Sequence, residues 1–217
     1  MTTVACVFVR GHVPFSSEYV KRLASMVRRW MDRPYRFVCL TDKTSANPFG
    51  ADIEAIRIPW KGDLRGWWAK LHLFAPKTGL TGRVLYLDLD TLVVSSLAPI
   101  LDYPAPFALV PHAGRFEGLD GLRVVKRFNS SVMVFNAGEQ AHIVERFTPA
   151  VPKELWGDQD HIGECCPNAA TLPAAWCPRF SEILSGPVPA AAKVVLMKTP
   201  KNVVAAGRYP WVREVWV

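Results

Sequence analysis

A chain of 217 residues is long enough for one α/β domain with a substantial core and short for two. Half of the residues are hydrophobic and 21% are charged, a balance that excludes a disordered protein. The net charge of +7 suits an acidic ligand, be it a phosphate-bearing substrate, an anionic membrane surface or a nucleic acid, without choosing among them.

The chain opens on Val4-Ala5-Cys6-Val7-Phe8-Val9, a buried strand with no basic stretch or small-residue cleavage site around it, so a secretion signal is not expected. Tyr19, Val20, Leu23, Met26, Val27 and Trp30 recur at helical spacing, with Ser16 or Ser17 as N-cap and Pro34 closing the segment. Lys21-Arg22 and Arg28-Arg29 fall on the polar side of that helix and read as a solvated face. A second strand runs from Tyr35 to Leu40 and ends at Thr41-Asp42, and Ile53 to Ile58 alternates as a third. Strand, helix, strand in this order predicts a mainly parallel sheet with a right-handed crossover, that is, a Rossmann-like α/β fold.

Gly66 to Pro76 carries a short helical pattern through Trp67, Leu71 and Phe74. Gly82-Arg83 leads into the apolar run Val84-Leu85-Tyr86-Leu87, which meets Asp88-Leu89-Asp90. Phe107 to Val110 and Ser131 to Phe135 are further apolar runs, and Ala141 to Phe147 reads as a helix. Roughly the last seventy residues are rich in proline and alanine and are expected to cover the sheet irregularly. No repeat or linker divides the chain, so residues 1–217 are expected to form one domain. No apolar stretch approaches the ~18 residues of a membrane span. The cysteines Cys6, Cys39, Cys165, Cys166 and Cys177 are odd in number and lack a Cys-x-x-Cys pair, which argues against a disulfide framework or a zinc site and for a cytoplasmic protein.

Val84 to Val94 is the stretch that carries chemistry. A buried strand has no use for unpaired carboxylates, so Asp88 and Asp90 must sit at its end with water, a cation or hydrogen bonds. Residues two apart in an extended chain project to one side, which would let both converge on one ion. Hard oxygen ligands suit Mn²⁺ or Mg²⁺, with other positions kept for water and substrate phosphates. The C-terminal end of a strand in an open α/β sheet is also where ligands bind. The competing account is an acidic pair that caps a turn. A haloacid-dehalogenase-type phosphatase uses a similar aspartate pair, but Leu92 stands where that pattern wants threonine or valine, and several elements precede this one.

The match to a second class extends further. Tyr35-Arg36-Phe37-Val38-Cys39-Leu40-Thr41-Asp42, Gly66-Trp67-Trp68-Ala69-Lys70-Leu71, Val84 to Asp90, Phe128-Asn129-Ser130-Ser131-Val132-Met133, Gly157-Asp158-Gln159-Asp160 and Pro210-Trp211-Val212-Arg213-Glu214 come in the order of landmarks in the bacterial GT-A glycosyltransferases. The chain resembles those related to glycosyltransferase family 8, which includes glycogenin and lipopolysaccharide galactosyltransferases.

That resemblance implies a GT-A fold and transfer of a hexose from a nucleotide-sugar, a UDP-sugar above all, with retention of configuration. It implies that Asp88 and Asp90 hold Mn²⁺ or Mg²⁺ against the donor diphosphate. Lys70 falls where the family places a basic residue beside the phosphates or sugar, although an ordinary exposed helix lysine would look the same. Asn129 matches a donor-sugar contact, with Ser131 where glycine is preferred; an asparagine organising a turn is the alternative. Asp158 and Gln159 match a pair that holds sugar hydroxyls near the anomeric carbon, while a helix N-terminus would also favour Asp158 and Asp160. Thr41 and Asp42 lie where the family seats base and ribose, as does the Val9-Arg10-Gly11 turn. Trp60, Trp67 and Trp68 flank the donor site as candidate aromatic platforms.

One position departs from the family pattern. In Val195-Leu196-Met197-Lys198-Thr199-Pro200-Lys201-Asn202, Met197 stands where a metal-binding histidine is expected, and a thioether is a poor ligand for a hard cation. Lys201 keeps its place and would reach the diphosphate. His12, His72, His112, His142 and His161 are the remaining imidazoles. The acceptor, whether glycan, lipid or protein, is not specified, peripheral membrane contact stays open, and no basic and aromatic interleaving points to nucleic acid. A GT-A protein that binds nucleotide-sugars without turnover is the rival reading that Met197 supports.

Overall fold

The computed structural model describes residues 1–9, 15–42, 47–58, 64, 66–112, 121–125, 127–197 and 207–217. Among them, seven strands form one sheet in the order β3-β2-β1-β4-β7-β6-β8. β1 (Thr2–Phe8), β2 (Tyr35–Thr41), β3 (Glu54–Arg57) and β4 (Arg83–Leu87) run parallel. β7 (Phe128–Asn136) reverses direction, pairing antiparallel with β4 on one side and β6 (Phe107–Pro111) on the other, and β8 (Ala170–Thr171) pairs parallel with β6. The predicted run from Ser131 is therefore the inner part of a longer antiparallel strand. A separate two-stranded ribbon joins β5 (Thr91–Val93) to β9 (Val194–Leu196), a pairing that no sequence pattern announced.

Period-2 alternation sends neighbouring residues of each central strand to opposite faces. Val4, Cys6 and Phe8 of β1 and Leu85 and Leu87 of β4 pack on one side with α1 (Ser17–Trp30), which buries Val20, Leu23, Ala24, Met26 and Val27 at helical spacing. Ala5, Val84 and Tyr86 pack on the other side, under a 3-10 helix at Gly66–Phe74. Four short helices follow: α2 (Ala98–Leu101), α3 (His142–Glu145), α4 (Val151–Glu154) and the longer α5 (Asp158–Cys165). α3 covers only the centre of the helix expected from Ala141 to Phe147. The proline-rich tail holds α6 (Phe180–Ile183) and a C-terminal helix, Pro210–Val215.

Two residues at the start of β4 fix how it enters the sheet. Gly82 has φ +67°, and a Cβ placed there would lie 1.9 Å from the Met1 carbonyl oxygen, so only glycine fits beside the first residue of the chain. Arg83 donates to the carbonyls of Leu101, Tyr103, Ala105 and Pro106 and to Asn136 Oδ1, tying α2 and the loop after it to β4 and β7. All five cysteines are free, including Cys6 and Cys39, which face each other across β1 and β2. None of the described helices is long and apolar enough to cross a membrane.

Candidate functional site

The C-terminal ends of β1, β2 and β4 meet at one edge of the sheet, because Phe8 pairs with Thr41 and Ala5 with Tyr86 in parallel register. Asp88 follows β4 at this edge. Its backbone N–H still donates to Ser131 O at 2.9 Å, so the pairing with β7 continues one residue past the strand. The chain then turns: Thr91 N and Thr91 Oγ1 both donate to Asp88 O, at 3.2 and 2.7 Å. Asp88 and Asp90 are thus not alternate residues of an extended strand, as the spacing argument assumed. Asp88 keeps the side of the sheet that Tyr86 faces, and the turn carries Asp90 toward α1, where its charge is felt by Tyr19.

On the Tyr86 side a buried cation joins three segments. Lys70, on the 3-10 helix, places Nζ 3.1 Å from Asp88 Oδ1, 3.2 Å from Asp158 Oδ2 and 2.9 Å from Ser130 Oγ. Tyr86 donates its hydroxyl to Asp88 Oδ1, and Ser130 Oγ donates to Asp158 Oδ2 at 2.6 Å. The ammonium also stands 5.3 Å from the centre of the Tyr86 ring. Lys70 is only 7% exposed, so it is not the ordinary surface lysine that the sequence allowed. Burial works against its charge, but Asp158 and Asp88 more than offset that and hold it protonated above its usual range. Burial, then the Asp88 charge, push the Tyr86 phenol well up, so it remains a donor to the carboxylate.

Among the described residues Asp90 makes no such ion pair, although the Lys70 charge reaches it. Burial, then the neighbouring Asp88 charge, raise its carboxyl to about 7, against a backbone hydrogen bond and Lys70 that pull it down. A carboxylate pair with one member under-compensated is what a divalent cation would satisfy, and the oxygen donors suit Mn²⁺ or Mg²⁺. Among the described residues no third histidine, cysteine or carboxylate completes a metal cluster. Met197 directly follows β9, whose last pair is Thr91 with Leu196, so it lies one step beyond that pair, as Asp90 does on the other strand. It is 6% exposed and packs in the core. His161 contacts Ile143 O and His142 lies beside Cys166 Sγ, away from the carboxylates. His12 lies outside the described residues.

α5 divides the Asp158-Gln159-Asp160 run by angle. Asp158, its first residue, turns to Lys70 and Ser130. Asp160 caps the helix instead, accepting from Gly157 N at 3.1 Å and from Val125 N at 2.7 Å, which pins a passing loop. Gln159 lies between them, half-buried. Asn129 is half-buried and accepts from Ser131 N at 2.9 Å, organising a bulge in β7 where the register with β6 shifts between Leu109 and Val110. That bulge turns Ser130 into the site. Thr41 and Asp42 are buried at the end of β2, at the same edge. Trp68 is a core residue packed on Phe147, whereas Trp67 is 42% exposed. Trp60 and Lys201 lie outside the described residues.

Tyr86 and Ser130 were not singled out by sequence. A signal for Tyr86 existed, because it stands two residues before Asp88 and shares its face. Ser130 lay within the Asn129-Ser130-Ser131 landmark, but its turn toward Lys70 and Asp158 had no signal, since a bulge obeys no period.

Neither a protein-family profile nor a curated protein sequence matches the chain. Solved structures do. The galactosyltransferase LgtC, in complex with donor and acceptor sugar analogues, matches with a TM-score of 0.67 over 99% of this chain and 96% of LgtC, at 15% identity. LgtC with an active-site glutamine changed to glutamate matches with a TM-score of 0.65 over 98% of this chain and 95% of that one, at 15% identity. The glycosyltransferase GlyE of Streptococcus pneumoniae TIGR4 gives 0.65 over 94% of this chain and 56% of GlyE, at 12% identity. With a mostly parallel sheet, a reversed β7 and carboxylates at the end of β4, the chain has the GT-A fold of these glycosyltransferase structures.

Proposed function

We propose that this chain is a glycosyltransferase that moves a hexose from a nucleotide-sugar, specifically a UDP-sugar, to an acceptor, with retention of configuration. The observation that carries the reading is the convergence of Lys70, Asp88 and Asp158 at the ligand-binding edge of a GT-A sheet. A nucleoside diphosphate leaving group needs positive charge, and Lys70 holds one where little water can screen it. Asp88 and Asp90 would hold Mn²⁺ or Mg²⁺, which would supply further charge for the diphosphate. Asp158 and Gln159 would accept from and donate to hydroxyls of the donor sugar; that LgtC has a glutamine in its active site supports this reading. Asn129 and Lys201 are assigned to donor contacts, and Thr41 and Asp42 to the nucleoside, by the family resemblance. The chain would act as a single domain in the cytoplasm on a glycan, lipid or protein acceptor, with no role for nucleic acid.

The test is calorimetric titration of the protein with UDP and UDP-hexoses, with and without Mn²⁺, together with UDP release from each donor. Metal-dependent UDP binding with turnover of one donor is expected. Absence of nucleotide binding under every condition would remove the reading. Binding without donor turnover would favour the second reading, a nucleotide-sugar-binding GT-A protein, for which Met197 beside the carboxylate turn is the specific observation.

A further inference from the structure

Both carboxylate oxygens of Asp88 are already in use. Oδ1 lies 3.1 Å from Lys70 Nζ and accepts the Tyr86 hydroxyl, and Oδ2 lies 3.4 Å from the same Nζ, so the ammonium straddles the carboxylate. The Lys70 side chain is 8% exposed and that of Asp88 24%, which makes the cation the more deeply placed partner. A divalent cation ~2.1 Å from either Asp88 oxygen would lie within ~5.5 Å of Nζ. Positive charges that close, with little water between them, repel strongly. Metal and ammonium therefore cannot share Asp88 as the structure stands. Lys70 has other partners to fall back on: Asp158 Oδ2 at 3.2 Å, Ser130 Oγ at 2.9 Å and Ser130 O at 3.4 Å.

We propose that Lys70 is an internal competitor of the metal: without nucleotide its ammonium stands in for the divalent cation at Asp88, and a diphosphate draws it off. This rests on the reading given above in taking Asp88 as a metal carboxylate. A diphosphate acts twice at such a site. It brings oxygens to the metal, and it brings negative charge that holds the ammonium away from Asp88. Metal and nucleotide then favour each other's binding reciprocally, and part of that coupling is carried by Lys70 instead of by shared coordination. The consequence is a site that free divalent cation loads poorly until the nucleotide is present.

The test compares Asp158→Asn with the double variant Lys70→Met, Asp158→Asn in the full chain. The two differ only at Lys70, and neither leaves two carboxylates facing each other. Lys70→Gln replaces Lys70→Met should the latter fail to fold. Calorimetric titration with Mn²⁺ alone should show weak binding by wild type and Asp158→Asn, and binding at least about tenfold tighter by the double variant. The gain should persist in about 0.5 M potassium chloride, because a buried contact is screened little. Mn²⁺ should also raise the urea midpoint of the double variant and not that of Asp158→Asn. Mn²⁺ affinity in the double variant no higher than in Asp158→Asn overturns the proposal. So does a gain that salt abolishes, which would be a field acting at a distance. These titrations contain no nucleotide, whereas failure of the donor reading appears separately, as absence of Mn²⁺-dependent UDP binding by wild type.

Discussion

Lys70 Nζ lies 3.2 Å from Asp158 Oδ2 and ties the middle of the 3-10 helix to the first residue of α5, with both side chains less than a tenth exposed. Because the same ammonium reaches Asp88, this one cation holds together three segments that meet at the site edge. Its removal has consequences for both stability and binding.

Lys70→Met leaves two carboxylates facing each other without a counter-ion, which should cost about 3 kcal/mol in urea denaturation. Adding Asp158→Asn removes one of those charges and should recover part of the loss, so the double variant is more stable than Lys70→Met alone. Equal stability of wild type and Lys70→Met would mean the ion pairs do not form in solution.

Asp88→Asn and Asp90→Asn should each weaken Mn²⁺-dependent UDP binding by at least about tenfold in calorimetry, while circular dichroism stays that of the wild type. Asp90 carries a further expectation. Its folded carboxyl, at about 7, lies above the ordinary value of 3.8, so the stability it contributes is full below the unfolded pKa and lost as pH rises through 7. Metal-free Asp90→Asn should therefore be more stable than wild type above pH 7, a gain coupled to lost binding. Wild-type UDP affinity in either variant would remove the carboxylate pair from the donor site.

Asp158→Asn and Gln159→Ala should reduce turnover of the UDP-sugar while UDP affinity stays within about threefold, because their proposed contacts are to the sugar. Parallel measurements of UDP binding and donor consumption check this. A matching loss of UDP affinity would make the segment a structural support.

Met197→His should raise Mn²⁺ affinity about tenfold in the presence of saturating UDP, since an imidazole beside Asp90 adds a nitrogen donor where the thioether supplies little. Manganese titration of both proteins decides it. No gain would mean that the side chain after β9 does not reach the cation.

Gly82→Ala should lower the unfolding free energy by about 2 kcal/mol or more, as both the positive φ and the Met1 carbonyl oppose a Cβ. Gly50→Ala is the control: its φ is +103°, but no atom lies within 4 Å of the added carbon. A difference between the two in chemical denaturation isolates the contact that seats β4 beside β1.

The periodic segments were legible without coordinates. Val4 to Phe8, the Tyr19-to-Trp30 spacing and Tyr35 to Leu40 each state their structure locally, because burial on one face leaves a period in the chain. Asp88 and Asp90 were legible for a related reason: carboxylates after four buried apolar residues have few places to be except a strand end. What each of them touches was not. The turn after Asp88 breaks the extended chain that alternation assumes, and β9 reaches β5 from the other end of the chain. Asp158 and Asp160 are chemically identical in sequence, yet two residues of helix rotate them by roughly 200°, sending one to Lys70 and the other to cap its own helix. Lys70 could not be told from a surface lysine, since its partners come from β4, β7 and α5. Contacts between segments so far apart in the chain leave no periodic trace, and only the packing of the sheet and its helices brings those charges within reach of one another.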